Sequence, residues 1–448
     1  MKNTDMTEGN VAKLLLQFAI PLFLGNLLQQ LYNAFDAIVV GNFVSSEALA
    51  AVGASAAMIN MIIAFFQGMS MGASVLISQA YGAHDNKALH GVIHTAVPLA
   101  ALIGIILTAI GVGCTPAVLA LIKTPAEIFP DGVTYLRIYF YGLPALIIYN
   151  IGAAILTAIG DTRRPLFFLA VSTVLNIIGN LVFVLVFHMN IAGVAYSTVI
   201  SEIVTAVMVM LTLAKTDGPY RLTPRFLKIE FSYVKRIFKI GLPGGIQTSI
   251  ISASNVIVQS YINLLGAQAV AGYSATAKLD NFILLPIVTT SMTAATFVGQ
   301  NLGAGKVARA RQGVKTAIVG ALILTVAISA AALLFGKVFL RIFTPEDEVI
   351  EYGMRFLRVF ASLYFTLSFS QIIPGALRGS GDVKMAMFTC IGLYVGLRQI
   401  YLFIMTKVLY TPETVALSYP LTWAIAGAIL TIYYLKRDWS VFERGHSL

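Results

Sequence analysis

Two halves of the chain, residues 14–214 and 234–435, carry the same short motifs in the same order within long apolar segments. At spacings of 221 or 222 residues, the repeated pairs are Pro21 and Pro243, Ser78–Ala83 (SQAYGA) and Gly299–Ala304 (GQNLGA), Gly91 and Gly313, and Gly160-Asp161 and Gly381-Asp382. A duplicated hydrophobic unit is typical of membrane proteins that move one lobe against the other around a central site. The repeat therefore constrains the fold to two similar apolar bundles.

Composition places these bundles in a lipid bilayer. Of the 448 residues, 58% are hydrophobic and 11% are charged, and the mean hydropathy is +0.83, whereas soluble domains carry about 25% charged residues. Because about 20 apolar residues cross a membrane as a helix and the alternation of barrel strands is missing, we predict an all-α polytopic membrane protein. The twelve predicted transmembrane helices are residues 14–40, 48–80, 92–121, 133–158, 165–187, 191–214, 234–262, 269–301, 313–340, 353–377, 384–409 and 414–435.

The charged residues predict the topology and the lobe boundaries. Most of the 30 Lys and Arg residues lie at the termini and in loops after even-numbered helices. The positive-inside rule assigns these loops to the cytoplasm, so we expect both termini inside and no nucleic-acid partner. The charged stretch 215–233 predicts a cytoplasmic linker between an N-lobe (1–214, helices 1–6) and a C-lobe (234–448, helices 7–12). Residues 225–239 alternate apolar and basic side chains, which indicates a helix lying in the membrane interface.

The even number of helices in each repeat determines its symmetry. Both copies start on the same side of the membrane, so the two bundles should be related by a parallel pseudo-twofold axis along the membrane normal. That arrangement predicts a cleft between the lobes that is open to one side of the membrane at a time.

Polar side chains form a stripe on the first helix of each half. The helix 1 stripe is Asn26, Gln29, Gln30, Asn33 and Asp36, and the helix 7 stripe is Thr248, Ser252, Asn255 and Gln259. A spacing of 222 carries Asn33 onto Asn255 but Asp36 onto Val258, so the acid is not repeated. One buried polar residue is explained by interhelical hydrogen bonding, worth about 0.6 kcal/mol. Two related stripes instead predict helices that line a wet substrate cleft, with Gln67 of helix 2 as a further lining residue.

Five charged residues fall within predicted helices, namely Asp36, Glu202, Lys278, Asp280 and Arg398. A charge at a helix centre costs about 2.5–3.5 kcal/mol on insertion scales, so each should be paired or functional. Asp280 either lines the cleft, where it would attract a cationic substrate, or pairs with Lys278 or Arg398. Because an unpaired guanidinium in lipid is unfavourable, we expect an acidic partner for Arg398, and Asp280 is the available one. Glu202 is the weaker functional candidate.

Asp36 is the strongest candidate for a functional charge. It ends the helix 1 stripe, and Asn176 and Asn180, one turn apart on helix 5, are its candidate neighbours in the same lobe. A carboxylate withdrawn from water is stabilised by binding a cation or a proton. We therefore predict that Asp36 binds H⁺ or Na⁺ reversibly. The competing interpretation is a residue at the membrane interface, since Gly41 and the following loop are close in sequence.

No sequence motif indicates chemical catalysis or nucleotide hydrolysis. A P-loop requires Gly-Lys followed by Ser or Thr, but Gly305-Lys306 is followed by Val307. We find no metal-ligand spacing and expect no cofactor other than H⁺ or Na⁺ as the coupling ion. We therefore predict a protein that is not an enzyme and is driven by an ion gradient or by the gradient of its substrate.

These residues resemble the multidrug and toxic compound extrusion (MATE) family over nearly the whole chain. The resemblance rests on AIPLFLGNLLQQLYN with Pro21, FDAIVVG with Asp36, SQAYGA and FVGQNLGA, LNIIGN with Asn176 and Asn180, and ILTAIGDTRRP with its partner ALRGSGD. It implies a MATE-like fold of two six-helix bundles and antiport, in which organic cations leave as H⁺ or Na⁺ enters.

Within the family, the segment FDAIVVG looks most like the DinF/MepA-like branch, in which an N-lobe acid on helix 1 binds the coupling ion. Asp36, Asn176 and Asn180 stand at the positions of that cation-coupling site. Some relatives carry acids where Asn180, Asn255 and Gln371 stand, so the resemblance does not imply a second cation site in the C-lobe.

The leading hypothesis is an ion-coupled antiporter that exports amphipathic or cationic organic compounds and drugs by alternating access. Its substrate cleft would include Gln29, Asn33, Gln67, Asn255, Gln259, Asp280 and Arg398. The alternative is a lipid-linked oligosaccharide flippase of the same superfamily, and an intramembrane enzyme is a third class without a supporting motif. We expect a monomer surrounded by membrane lipids in a bacterial cytoplasmic membrane.

Overall fold

The computed structural model describes residues 5–121 and 124–443, and within these residues the chain is helical and forms no strand. Twelve long helices follow one another along the described chain. They are α1 (Val11–Phe43), α2 (Ser46–Gly82), α3 (Asn86–Leu121), α4 (Phe129–Ala158), α5 (Arg163–Val186), α6 (Asn190–Lys215), α7 (Phe231–Asn263), α8 (Ala267–Gly303), α9 (Val307–Arg341), α10 (Asp347–Gly379), α11 (Lys384–Val408) and α12 (Pro412–Lys436). The all-α prediction is confirmed.

Most of these helices are suited to a bilayer. Among the described residues, ten helices are long and apolar enough to cross a membrane, and α2 and α7 are the two long helices outside that group. Several helices continue beyond the predicted apolar segments. The helices α2 and α8 each have 37 residues, or about 55 Å at 1.5 Å per residue, so they exceed a hydrocarbon core of about 30 Å.

The linker between α6 and α7 differs from the predicted interfacial helix over 225–239. It contains one 3₁₀ turn, Pro224–Phe226, and α7 begins at Phe231. The physical reason is that the linker backbone bonds to α3. His94 Nε2 accepts from the Thr223 backbone N–H at 3.0 Å, and the Lys228 N–H donates to the His94 carbonyl at 3.2 Å. These external partners replace the bonds that a helix would make within itself.

The chain divides into two compact units, and the divisions fall within helices. Unit 1 contains Ile20–Leu242, and unit 2 contains Met6–Ala19 together with the chain from Pro243 onward. The first turns of α1 therefore belong to unit 2, and the first turns of α7 belong to unit 1. Both divisions lie beside the repeated prolines Pro21 and Pro243, which interrupt the hydrogen-bond ladder of each helix.

Within unit 1, small residues let helices approach closely. A Cβ added at Gly241 of α7 would lie 2.8 Å from the Gly68 carbonyl oxygen of α2. Helices α2, α4 and α6 contribute to one buried cluster, which includes Tyr135, Tyr139 and Val194. Close helix contacts through glycine are common in membrane proteins because they increase van der Waals packing where the hydrophobic effect is weak.

Within unit 2, the segment before α1 is bound by the end of α8. Met6 is fully buried. Its backbone N–H donates to Gln300 Oε1 at 3.2 Å, and its carbonyl accepts from Asn301 Nδ2 at 3.1 Å. Lys306 Nζ donates to the Thr7 carbonyl at 3.0 Å. The repeated motif Gly299–Ala304 therefore has a structural role in holding the N-terminal segment.

The repeated Gly-Asp motif also builds turns. Gly160 and Gly381 have φ angles of +95° and +81°, a region that favours glycine. Asp161 Oδ1 then accepts from the backbone N–H of Arg164 at 3.1 Å, at the start of α5. Asp382 Oδ2 accepts from the Tyr433 hydroxyl at 2.6 Å. These acids are accounted for by turn and packing contacts.

One further feature is repeated in α5 and α11. The α5 helix ends in a π-helical turn, Val182–Val186, and α11 contains a π-helical segment, Ile391–Leu397. In each case the π turns lie next to polar residues that the sequence assigned to a site, Asn180 and Arg398. Single π turns inside α-helices occur frequently at functional sites.

Candidate ion and substrate sites

In unit 1, the acid of α1 and the two asparagines of α5 form one hydrogen-bonded group. Asn180 Nδ2 donates to Asp36 Oδ1 at 2.6 Å and to Asn176 Oδ1 at 3.2 Å. Asn176 and Asn180 are fully buried, and Asp36 is partly buried. Their spacing of four residues places both amides on one face of α5. The structure therefore brings the three residues of the predicted coupling site together.

Asn176 connects this group to two other helices. Its Nδ2 donates to the Tyr32 hydroxyl of α1 at 3.1 Å and to Thr198 Oγ1 of α6 at 3.4 Å. Its backbone carbonyl accepts from Ser197 Oγ at 2.8 Å. The amide is thus oriented by partners on both sides, which places Asn180 Nδ2 against the carboxylate.

One buried oxygen of this group remains available. Among the described residues, Asn180 Oδ1 has no hydrogen-bond partner. A buried amide oxygen without a donor is unfavourable, and in native proteins it usually has a partner. A carboxylate and an amide oxygen are ligands that hard cations such as Na⁺ accept. Asp36 and Asn180 are therefore the residues that could hold a cation in unit 1.

A second carboxylate lies in the same region of unit 1. Glu202, one turn after Thr198 on α6, interacts electrostatically with Asp36. Its Oε2 atom is buried and has no partner among the described residues. Gly142 of α4 leaves room for that oxygen, because a Cβ added there would lie 2.8 Å from it. The sequence ranked Glu202 as a weaker candidate, and the i, i+4 spacing from Thr198 was the signal that could have raised it.

In unit 2, the predicted ion pair between Asp280 and Arg398 does not form, so that expectation was wrong. Asp280 Oδ1 instead accepts from the Tyr364 hydroxyl at 2.5 Å. The ion pairs found among the described residues do not include Arg398. The physical reason is that tyrosine supplies the partner of each group, a hydroxyl for the acid and ring faces for the guanidinium.

Among the residues whose burial is described, Arg398 is the largest side chain that is almost fully buried, with 2% of its surface exposed. Its guanidinium carbon lies 4.9 Å from the ring centroid of Tyr394 and 4.4 Å from that of Tyr419. One terminal nitrogen donates to Asn255 Oδ1 at 3.1 Å, and the other donates to Thr422 Oγ1 at 2.9 Å. Its Nε atom is buried and has no partner among the described residues.

The other predicted cleft residues are found mainly on exposed helix faces. Gln29, Asn33 and Gln67 of unit 1 are exposed, as is Asn255 of unit 2. Gln259 is partly buried and donates to Asn263 Oδ1 at 2.8 Å. Within the units, the structure joins Asn255 to Arg398, whereas Asp280 belongs to a separate contact with Tyr364.

Comparison with known proteins relates the whole chain to one family. The profile of the MatE family matches residues 21–182 and 243–404. Among curated relatives, the chain is 30% identical to the "Probable multidrug resistance protein YpnP" of Bacillus subtilis over 387 residues, which is 86% of either chain. It is 29% identical to the "Probable multidrug resistance protein YoeA" of the same organism, over 93% of this chain and 92% of the relative.

Solved structures have the same fold. A MOP superfamily transporter from Pyrococcus furiosus superposes with a TM-score of 0.91 at 21% identity, over 99% of this chain and all of that chain. The outward-facing structure of a multidrug resistance MATE family transporter gives a TM-score of 0.90 over 98% of this chain, also at 21% identity. These matches confirm the MATE-like fold of twelve helices in two bundles. Because the family profile matches both halves, the chain belongs to the MatE family of multi-pass membrane transporters for multidrug efflux.

Proposed function

We propose that the protein is an ion-coupled antiporter that exports amphipathic or cationic organic compounds by alternating access. The observation that carries this proposal is the contact of Asp36 with Asn180, 2.6 Å between Oδ1 and Nδ2, beside a buried amide oxygen without a partner. Asp36 binds the coupling ion, H⁺ or Na⁺, and Asn176 and Asn180 hold its carboxylate in position.

The second acid strengthens the case for cation binding in unit 1. Two carboxylates, Asp36 and Glu202, interact in a region that is removed from water. Two negative charges at such a place are unfavourable unless a cation or a proton neutralises at least one of them. An ion arriving from outside therefore lowers the energy of the site, and its release inside restores the charge. This difference between the loaded and empty states is what couples the ion to the transport cycle.

The exposed polar stripes support a water-lined path for substrate. Gln29, Asn33 and Asn255 are exposed on helices that would otherwise contact lipid. Because lipid contact leaves an amide without hydrogen-bond partners, such faces favour an aqueous environment. In the proposed cycle, ion binding at Asp36 favours substrate release to the outside, and ion release inside allows the next substrate to bind.

Relatives support the same class of substrate. The similar proteins of Bacillus subtilis are named as probable multidrug resistance proteins, and a 21% identical relative from Staphylococcus aureus is named multidrug export protein MepA. We further propose that the protein resides as a monomer in the cytoplasmic membrane of a bacterium, with both termini inside.

The deciding experiment measures efflux under separate gradients. The purified protein is reconstituted in liposomes, and the efflux of ethidium is followed under an imposed pH gradient or an imposed Na⁺ gradient. We expect one gradient to drive efflux in the wild type and Asp36→Asn to abolish the driven component. The matched control is Glu127→Gln, which removes an exposed acid of the same unit. Driven efflux at the wild-type rate by Asp36→Asn would exclude Asp36 from coupling, and efflux that ignores both gradients would exclude antiport.

A further inference from the structure

The two matched segments of the family profile make positions in the two units comparable. They begin at residues 21 and 243 and end at 182 and 404, so both ends are 222 residues apart. The same spacing carries Asn176 of α5 onto Arg398 of α11. Asn176, which orients the acidic site of unit 1, therefore corresponds to a permanently charged arginine in unit 2.

The contacts of these two residues support their equivalence. Asn176 donates to Thr198 of α6 at 3.4 Å, and a spacing of 221 carries Thr198 onto Tyr419, whose ring lies 4.4 Å from the Arg398 guanidinium. Both residues thus face the last helix of their own unit. The environment differs, because Arg398 faces an aromatic ring where Asn176 faces a hydroxyl.

Arg398 forms no direct ion pair with a described residue. Its side chain is almost fully buried, with 2% of its surface exposed. Contact with two tyrosine faces compensates part of the desolvation, because a cation over an aromatic ring is attracted by the electron density of the ring face. A buried charge without a counter-ion nevertheless remains unfavourable. The Nε atom, buried and without a partner among the described residues, is one hydrogen-bond donor that such a counter-ion would use.

Aromatic side chains form a cluster beside Arg398. Tyr419 lies 6.1 Å from Trp423, and Trp423 lies 6.3 Å from Tyr364, measured between ring centroids. Asn255, which accepts from the guanidinium, is exposed and connects the cluster to the surface of its unit. A π-helical segment ends immediately before Arg398, where the usual ladder of helix hydrogen bonds is already disturbed.

We propose that Arg398 and its tyrosines bind the carboxylate of an aromatic, amphipathic substrate. Arginine presents two parallel N–H donors that match a carboxylate, and here that pair is Nε, which has no partner among the described residues, and the adjacent Nη2, which donates to Thr422. The transported compounds then include aromatic acids and zwitterions as well as cations. The role of this site in transport rests on the proposed function, but the binding of a carboxylate requires no ion gradient.

The test compares a matched acid and amide, 4-phenylbutyrate and 4-phenylbutyramide. The chain has two tryptophans, so Trp439→Phe leaves Trp423 as the only tryptophan reporter near the site. In phosphatidylcholine nanodiscs, quenching of Trp423 fluorescence gives the two affinities. We expect the acid to bind more tightly by about tenfold to a hundredfold, the range of a charge-assisted hydrogen bond.

Two variants locate this preference. Arg398→Gln in the same background should bind acid and amide equally, whereas Arg358→Gln, which removes an exposed arginine of the same unit, should keep the preference. Arg398→Lys keeps the charge but lacks the planar pair of donors, so it should keep part of the preference for the acid. Equal affinities for acid and amide in the parent protein overturn the proposal, and this measurement needs no variant at the site. A preference for the acid that survives Arg398→Gln also overturns it.

A lipid headgroup is the other source of an anion. Replacing one third of the phosphatidylcholine with phosphatidylglycerol should leave the affinity for 4-phenylbutyrate unchanged if the site takes soluble carboxylates. A fall in affinity that follows the phosphatidylglycerol content would assign Arg398 to lipid and overturn the substrate assignment. None of these binding measurements uses an ion gradient. A negative binding result therefore does not contradict the coupling role of Asp36, and a negative efflux result does not contradict carboxylate binding at Arg398.

Discussion

The two units of this transporter hold opposite charges with the same set of contacts between helices. In unit 1, Asn176 joins α5 to α1 and α6 and directs Asn180 onto the carboxylate of Asp36. In unit 2, the counterpart Arg398 joins α11 to α7 and α12 through Asn255 and Thr422. The helix contacts are repeated, but the first site is acidic and the second carries a cation that forms no ion pair with a described residue.

The second difference is the space beside each site. Gly142 leaves room for Glu202 in unit 1. The spacing of 222 residues carries Gly142 onto Tyr364, and the spacing of 221 carries Glu202 onto Trp423. The rings of Tyr364 and Trp423 stack with 6.3 Å between their centroids. Two stacked aromatic rings in unit 2 therefore take the place of a glycine and a carboxylate in unit 1. The repeat duplicates how the helices pack and leaves the chemistry of each site to a few side chains.

The largest effect should come from removing the amide that organises unit 1. Asn176→Leu keeps a side chain that branches at Cγ but lacks the hydrogen bonds to Tyr32 and Thr198. We expect the free energy of unfolding to fall by about 1–3 kcal/mol, the cost of unsatisfied buried groups, and driven efflux to be lost. Thermal unfolding in detergent and efflux in liposomes measure the two effects. Wild-type values in both would mean that Asn176 does not hold the site together.

The second effect tests the space beside Glu202. A Cβ at Gly142 would lie 2.8 Å from Glu202 Oε2 and 2.9 Å from Val199 Cγ2, so Gly142→Ala should destabilise unit 1 by about 1–3 kcal/mol through overpacking. Gly113, with nothing near its added Cβ, provides the matched control Gly113→Ala. If both variants unfold at the same temperature, the close contact at Gly142 carries no energetic weight.

The third effect concerns charge and leaves the packing largely intact. Glu202→Gln removes one of two interacting acids and keeps the shape of the side chain. We expect the charge moved for each ethidium to change by about one elementary charge, because one fewer cation is needed for neutrality. Currents recorded from proteoliposomes on a solid support measure that charge. An unchanged current for each ethidium would remove Glu202 from ion binding.

The sequence predicted unit 1 better than unit 2, and the reason is physical. Apolar length is sufficient to find membrane helices, and the spacing of four residues between Asn176 and Asn180 places both amides on one face with little ambiguity. The partner of Arg398 was predicted by matching charges, which assigned Asp280. Tyrosine rings attract a guanidinium without carrying a formal charge. Tyr394 lies one turn before Arg398 on the same helix, but the contact of Tyr419 depends on how α12 packs against α11.

The smallest effect should be on the stability of unit 2 after loss of its buried cation. Arg398→Met replaces the guanidinium with an apolar side chain. Its two hydrogen-bond acceptors keep other partners, because Asn255 is exposed and the Thr422 hydroxyl also donates to the Tyr419 carbonyl at 2.8 Å. Replacing a buried charge with a well-packed apolar group is often neutral or stabilising. We therefore expect the free energy of unfolding to change by less than about 1 kcal/mol, in contrast to Asn176→Leu, when both are measured by thermal unfolding in the same detergent. A loss as large as that of Asn176→Leu would mean that Arg398 is a structural residue like its counterpart, and the two units would then not differ in how much these two residues contribute to stability.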